Sequence, residues 1–112
     1  GYAFYLGGNA RLYLAKIGTI ARPGNATISD TNFHHVAVTK SGSAVQFYVD
    51  GSVDAVTSWG DAFEFDTEAA IGAQPENLSS SFLGVIDELS VYDRALTGAQ
   101  IQALYTAGTS GK

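Results

Sequence analysis

Three carboxylates stand at alternate positions in the run Glu64-Phe65-Asp66-Thr67-Glu68. On a strand, alternate side chains point to the same face, so Glu64, Asp66 and Glu68 would share one face. Neighbouring carboxyl groups shift one another's pKa, and such pairs serve as general acid and base. This acidic run is the candidate catalytic site of the sequence. The alternative interpretation is that it forms a loop without a chemical role.

A histidine pair, His34-His35, precedes the apolar run that begins at Val36. Adjacent residues of a strand point to opposite faces, so the two imidazoles cannot hold one metal ion between them. The chain has no cysteine to complete a metal site. We therefore predict structural roles, with one imidazole packed or hydrogen-bonded inside and the other on a sheet face.

A single carboxylate, Asp87, interrupts the apolar face of the predicted strand Phe82–Tyr92. A buried carboxylate needs hydrogen-bond donors, a cationic side chain or a metal ion. Backbone N–H groups and the nearby Arg94 are the simplest partners, and a bound cation is the alternative.

Exposed aromatic rings are the candidates for ligand binding, because sugar rings stack on aromatic faces while polar neighbours bind the hydroxyl groups. Trp59, in the polar stretch Thr57-Ser58-Trp59-Gly60-Asp61, is the first candidate, followed by Tyr48 and Tyr13. The alternative is packing in the core, which we favour for the two tyrosines.

Composition excludes several classes of protein. The 112 residues are 46% hydrophobic and 15% charged, which is typical of one globular domain, and the formal net charge is -5. The six basic residues are scattered singly, so neither nucleic acid nor a membrane surface is an expected partner. No apolar run approaches the roughly 20 residues of a membrane span, and no signal peptide precedes Gly1, so we interpret the chain as a mature or excised piece.

The stretch Phe33–Ser52 organises the fold. Two runs rich in Val, Phe and Tyr flank the turn Lys40-Ser41-Gly42-Ser43, and Asp50-Gly51 forms a second turn. This pattern predicts an antiparallel hairpin whose second strand leads directly into a third. Val45, Phe47 and Val49 would face the core, and the opposite face would be half solvated.

Further strands and one helix complete the prediction. The helix has Thr97 as its N-cap, Gln100 at the capping-box position and Gly108 at its C-terminus. Pro23-Gly24-Asn25 is expected to interrupt a strand, because Pro donates no ladder hydrogen bond. The predicted strand segments are Tyr2–Leu6, Arg11–Ile17, Thr19–Ala21, Ala26–Ile28, Val53–Trp59, Phe63–Phe65, Ala69–Gly72 and Phe82–Tyr92. The fold class is therefore all-β, an antiparallel two-sheet sandwich with one short C-terminal helix.

Four sequence blocks carry a family resemblance. They read FHHVAVTK, VQFYVDGS, AIGAQ and FLGVIDELSVYDRALTGAQIQALY. In order and spacing they resemble the laminin-G-like, concanavalin A-like jelly-roll domains of secreted bacterial proteins. The resemblance covers Tyr2 to Ala107 and matches the later part of the family domain, so residues 1–112 are interpreted as one such domain in a shortened form.

The resemblance implies a non-catalytic module of a secreted or cell-surface bacterial protein that binds carbohydrate or a protein ligand, or acts in adhesion. The acidic run is also similar to the motif of jelly-roll glucanases, in which two carboxyls about 5 to 5.5 Å apart support a retaining mechanism. A glycoside hydrolase remnant using Glu64 and Glu68 is therefore one alternative, and a purely structural or assembly domain is another. No cofactor is expected to be required, although some relatives bind calcium through the residue equivalent to Asp87.

Two expectations concern packing. Seven residues are expected in the core: Val36, Val38, Phe47, Val49, Ile71, Val85 and Leu89. Because the family's first strands are not matched, strand edges or an apolar sheet face should be uncovered. We expect a twofold homodimer to cover them, since a self-complementary patch closes without growing into fibres. The alternative is a monomer in which the short strands close a smaller sandwich.

Overall fold

The computed structural model describes residues 1–64, 69–73 and 81–108. It contains two antiparallel three-stranded sheets and one helix, arranged as the predicted jelly-roll sandwich. The first sheet has the order β1-β2-β3 and consists of β1 (Tyr2–Leu6), β2 (Arg11–Lys16) and β3 (Ile20–Thr27). The second has the order β4-β5-β6 and consists of β4 (Val36–Ser41), β5 (Ala44–Val49) and β6 (Ser52–Ser58), and the helix is α1 (Gly98–Ala107).

The predicted hairpin at the centre of the chain is confirmed. β4 pairs with β5 so that Val38 lies opposite Phe47, and β5 turns at Asp50-Gly51 into β6. Both turn residues have positive φ, 51° for Asp50 and 80° for Gly51. Asp and Gly adopt this conformation more readily than β-branched residues do, which is why the strand reverses here.

The main core lies between the two sheets. Its buried members come from β2, from β5 and β6, and from the residue that follows β6; they are Leu12, Leu14, Val45, Phe47, Ala55 and Trp59. Phe47 and Val45 have no exposed surface. The period-two alternation of β2 and β5 directs one side of each strand into this layer, as the sequence pattern predicts.

The core prediction is only partly confirmed. Phe47 is buried, and Val36, Val38 and Val49 are partly buried against the same cluster. Ile71, Val85 and Leu89 were wrongly expected in the core, since they are 66%, 71% and 57% exposed. The segments that contain them form no strand, although β-propensity favours one, because propensity is realised only when a neighbouring strand supplies hydrogen bonds and packing.

Residues 81–92 are where the structure departs furthest from the predicted long strand. They belong to neither of the two sheets that the described residues form. Gly84 has φ of 151° and Glu88 has φ of 52°, values that interrupt an extended strand. One backbone hydrogen bond, from Phe82 N–H to the carbonyl of Gly72, joins this segment to residues 69–73.

The strand β3 is not interrupted at Pro23, as the sequence had suggested. It continues through Pro23-Gly24-Asn25, and the register with β2 shifts there, so that Arg11 pairs with Thr27 and Tyr13 with Pro23. Such a bulge accommodates a proline without breaking the strand, because the residue needs no ladder hydrogen bond at that point.

The helix and its caps are confirmed. The Thr97 hydroxyl accepts a hydrogen bond from Gln100 N–H, and the Gln100 side chain accepts one from Thr97 N–H. Gly108 ends the helix with a φ of 56°. Ile101 packs with Tyr48 on the outer face of the second sheet, so that face is covered by α1 instead of being half solvated.

We expect Phe47→Ala to lower the free energy of unfolding by about 3 to 5 kcal/mol, because it leaves a cavity in a fully buried site. Chemical denaturation followed by intrinsic fluorescence measures the change. Val53→Ala, at an exposed position of β6, is the control and should have a much smaller effect. An unchanged denaturation midpoint for Phe47→Ala would contradict the register of β5.

Candidate functional site

The acidic run begins at the edge of the described residues. Glu64 is exposed, and its backbone N–H donates to the Tyr2 hydroxyl over 3.4 Å. Asp66 and Glu68 lie outside the described residues, so the carboxyl separation that would define a catalytic pair remains a prediction.

Trp59 is not an exposed aromatic residue. Its ring is 2% exposed and lies in the main core, with centroids 5.2 Å from Phe63 and 6.0 Å from Tyr2. The expectation of an exposed position for Trp59 was therefore wrong, and in this structure the ring has no face available for a sugar. Its polar neighbours in the sequence suggested exposure, but Trp59 follows β6 directly, its N–H donates to the Ser43 carbonyl, and its ring packs in the core.

Tyr48 belongs to the second hydrophobic cluster. It is 3% exposed, packs against Leu96 and Ile101, and donates its hydroxyl hydrogen to Gln46 Oε1 over 2.9 Å. The sequence favoured packing over ligand binding for Tyr48, and Tyr48 is packed in this cluster.

Tyr13 lies beside Tyr5, a residue that the sequence analysis did not identify as a candidate. The register of the first hairpin pairs the two residues directly, and their rings stack with centroids 5.4 Å apart and an interplanar angle of 12°. Tyr5 is 40% exposed and Tyr13 is half-buried. The signal was present in the sequence, because Tyr5 and Tyr13 are equally far from Asn9, the centre of the turn between the two strands.

The turn between β1 and β2 fixes the Tyr13 ring. Asn9 Nδ2 donates to the Tyr13 hydroxyl oxygen over 2.9 Å, and Asn9 Oδ1 accepts from Arg11 N–H over 3.2 Å. Gly7 lies so close that an added Cβ would be 2.7 Å from Tyr13 Cε2. The absence of a side chain at Gly7 therefore lets the ring pack against the turn.

The outward face of the first sheet offers more than the tyrosine pair. Leu12 and Leu14 of β2 point into the core, so Arg11, Tyr13 and Ala15 alternate onto the other face. Arg11 Nε donates to the Gly24 carbonyl over 2.7 Å, which orients its guanidinium. An open depression beside Tyr5 is lined by Tyr5, Ala15 and residues 16–21. Aromatic surface, an amide and a guanidinium are thus grouped on one face.

The histidine pair forms hydrogen-bonding and packing contacts, but neither residue lies on a sheet face as predicted, because β4 begins at Val36. His34 lies between two carboxylates: Nδ1 is 2.8 Å from Asp50 Oδ2, and Nε2 is 2.8 Å from Asp30 Oδ1. His35 packs its ring against Tyr105 of α1, with centroids 6.2 Å apart, and its backbone N–H donates to Asp50 Oδ1.

Protonation of His34 follows from its two partners. A neutral imidazole has one N–H, whereas the imidazolium has two and can donate to both carboxylates. The hydrogen bond with Asp50, and then that with Asp30, raises the pKa of His34 above its ordinary value of 6.5. The same contact with His34, helped by the backbone N–H of Asn32, lowers the pKa of Asp30 below 3.8.

Asp87 does not sit in a buried apolar face. It is exposed, and its Oδ1 accepts from the N–H of the adjacent Glu88 over 2.8 Å. Among the described residues, no group of three or more His, Cys, Asp or Glu side chains is arranged to hold a metal ion. The described part of the chain therefore does not supply Asp87 with further acidic ligands, and calcium at this position stays a prediction.

Comparisons with known proteins agree with the fold. The family model of the concanavalin A-like lectin/glucanases superfamily matches residues 1–102. The crystal structure of a segment of an S-layer domain-containing protein from Clostridium thermocellum matches with a TM-score of 0.61 and 22% identity. The match covers 85% of this chain and 50% of that one, so this chain spans half the length of that structure. Among curated proteins, none matches this sequence.

No helix in the described ranges combines the length and apolar character that crossing a bilayer requires.

We expect the stability that His34 contributes to depend on pH. Because folding raises its pKa, the contribution is complete below the unfolded value near 6.5 and is lost as pH rises through the folded value. The lowered pKa of Asp30 sets the acid limit, since its contribution is lost as pH falls below 3.8. Melting temperatures of the natural chain and of His34→Gln should thus differ most between the acid limit and about pH 6.5, and the difference should shrink as the pH rises above that range.

The control for this comparison is Asp61→Asn, at an exposed acidic position outside the His34 contacts. It should leave the dependence of melting temperature on pH unchanged. A difference between the natural chain and His34→Gln that stays constant from acid to alkaline pH would show that His34 acts through packing alone.

Proposed function

Because the chain belongs to the concanavalin A-like lectin/glucanases superfamily, we propose that it is a non-catalytic module for carbohydrate binding or adhesion. The observation that carries this proposal is the stacked pair Tyr5 and Tyr13 on the outward face of the first sheet. Aromatic surface packs against the C–H groups of a sugar ring, and adjacent polar groups bind its hydroxyls. The Asn9 amide and the Tyr13 hydroxyl supply such groups.

The two sheets differ in what their outward faces offer to a ligand. On the second sheet, α1 covers Tyr48, which is 3% exposed. On the first sheet, Tyr5 stays exposed beside an open depression. This contrast supports the first sheet as the binding face.

The proposal places binding ahead of catalysis because the stacked tyrosine pair supplies a surface for a sugar ring. The superfamily name covers both lectins and glucanases, so membership alone is compatible with either activity. The glucanase alternative depends on Glu64 acting with Glu68, whereas the binding proposal depends on the stacked rings of Tyr5 and Tyr13. An extracellular or cell-surface location is part of the proposal, supported by the family and by the S-layer domain named in the structural neighbour.

The proposal is tested on a glycan array, where we expect the natural chain to bind a defined subset of carbohydrates. Tyr5→Ala and Tyr13→Ala should each weaken that binding by about ten-fold, because each removes part of the stacking surface. Tyr92→Ala is the matched control, since Tyr92 is also exposed but lies far along the chain from the first sheet. Absence of binding to any glycan would favour a purely structural domain instead.

Glu64→Gln serves as the control for catalysis in the same experiment. A binding module should retain its glycan binding after this change, and neither form should release sugar from β-glucans. Hydrolysis of a β-glucan by the natural chain that disappears in Glu64→Gln would reverse the assignment in favour of the enzyme.

The proposal also includes a homodimer. β1 and β4 each lie at the edge of a sheet, and residues 82–92 expose apolar side chains, among them Leu83 at 100% and Val91 at 89%. Contact between a strand edge of one copy and the exposed apolar segment of another would cover both, and a twofold arrangement makes the contact twice.

Sedimentation velocity at micromolar concentration measures the oligomeric state. We expect a dimer, and Leu83→Asp combined with Val91→Asp should dissociate it by placing charge in the contact. A monodisperse monomer that melts cooperatively would rule out the dimer without affecting the binding proposal.

A further inference from the structure

We infer that the outward face of the first sheet binds an acidic polysaccharide, such as a chain of uronic acid units, in preference to a neutral one. The inference rests on the proposed function and specifies its ligand class. Two observations carry it: the separation of charge along the chain, and the position of Arg11 beside the tyrosine pair.

Charge is divided between two parts of the sequence. Residues 1–29, which include the whole first sheet, contain Arg11, Lys16 and Arg22 and no Asp or Glu. All eleven acidic residues follow residue 29. A chain with a net charge of -5 should repel a polyanion, but this division leaves the first sheet as the region that attracts one. The charge distribution would thus direct an acidic chain to the first sheet. On that sheet Arg11 shares the outward face with Tyr13, whereas Lys16 alternates onto the other face and Arg22 donates to the Ser58 carbonyl of the second sheet.

Arg11 is placed to recognise a carboxylate on that face. It lies two residues before Tyr13 on β2, so both side chains point to the same side of the sheet. Its hydrogen bonds in the structure use the backbone N–H, the carbonyl and Nε. Nε anchors the guanidinium on the Gly24 carbonyl, and the two Nη groups are the donors that a carboxylate would meet as a pair.

The acidic side chain that hydrogen-bonds this sheet does not oppose such a ligand. Asp54 reaches β3 from β6, and its two carboxylate oxygens accept from the backbone N–H groups of Asn25 and Ala26. These hydrogen bonds hold the carboxylate against the backbone of β3. Tyr5 and Tyr13 then supply the surface for the sugar ring, and the Asn9 amide lies beside the Tyr13 hydroxyl.

The first experiment needs no variant. Polygalacturonate and its methyl ester share the same ring and linkage, and they differ in the carboxylate charge. We expect the natural chain to bind polygalacturonate at least about ten-fold more tightly in affinity electrophoresis or calorimetry, since a charged hydrogen bond is lost in the ester. The preference should decline as salt is raised to about 1 M, because salt screens the attraction.

Variants locate the preference at Arg11. Arg11→Gln should remove most of it, and Arg11→Lys should restore part, because lysine keeps the charge but not the paired donors. Lys40→Gln changes the net charge equally on the second sheet and should leave the preference intact. Circular dichroism and melting temperature confirm that each variant is folded, and the comparison of the two polymers on the natural chain stands independently of them.

The outcomes separate this inference from the proposed function. Equal affinity for the acid and the methyl ester, with binding still lost in Tyr5→Ala, would overturn the acidic ligand class and keep the carbohydrate-binding proposal. A preference for polygalacturonate that falls equally in Lys40→Gln and Arg11→Gln would overturn the site, because overall charge would then suffice. Binding to no polysaccharide at all would overturn both.

Discussion

The contact between Asp54 and the bulge of β3 is the interaction on which the arrangement of the two sheets depends. One carboxylate oxygen accepts from Asn25 N–H and the other from Ala26 N–H, both over 2.8 Å, and Asn25 Nδ2 donates to the Asp54 carbonyl over 3.1 Å. The bulge removes these backbone donors from the ladder with β2, and a charged acceptor is a strong replacement. The carboxylate approaches so closely that a Cβ at Gly24 would be 2.6 Å from Oδ2. A polar contact from β6 thus joins the second sheet to the first.

The same bulge determines what the first sheet presents on each face. Across it the pairing changes from Arg11 with Thr27 to Tyr13 with Pro23, while Leu12 between them stays in the core. A shift of one residue in a strand would exchange its core and solvent faces, so the bulge must absorb the extra residues of β3. Because it does, Arg11 reaches the Gly24 carbonyl and Tyr13 keeps its place beside Tyr5. The core and the candidate binding face therefore depend on one local feature of the backbone.

The parts of the fold that local chemistry decides were predictable from the sequence. The hairpin of β4 and β5 has alternating apolar residues and glycine at its turn, and Thr97 and Gln100 form a capping box within one helical turn. Three features depend on distant contacts instead. Pro23 stays in a strand because Asp54 supports the bulge, Trp59 turns inward because the core between the sheets accepts it, and residues 82–92 form no strand because no partner pairs with them among the described residues. Neither the hydrophobic pattern nor the strand propensity of the sequence predicts these long-range contacts.

The candidate site shows the same limit at the level of single side chains. Tyr13 and Tyr48 occupy equivalent positions in the sequence pattern, each on a strand that also supplies core residues from its opposite face. What separates them is a helix that begins about 50 residues after Tyr48 and packs Ile101 against it. Tyr13 is half-buried, and its stacked neighbour Tyr5 is 40% exposed. A tyrosine on a strand is therefore available to a ligand or buried according to what covers its sheet. In this chain that covering is asymmetric, and it leaves open the face that carries Tyr5, Tyr13 and Arg11.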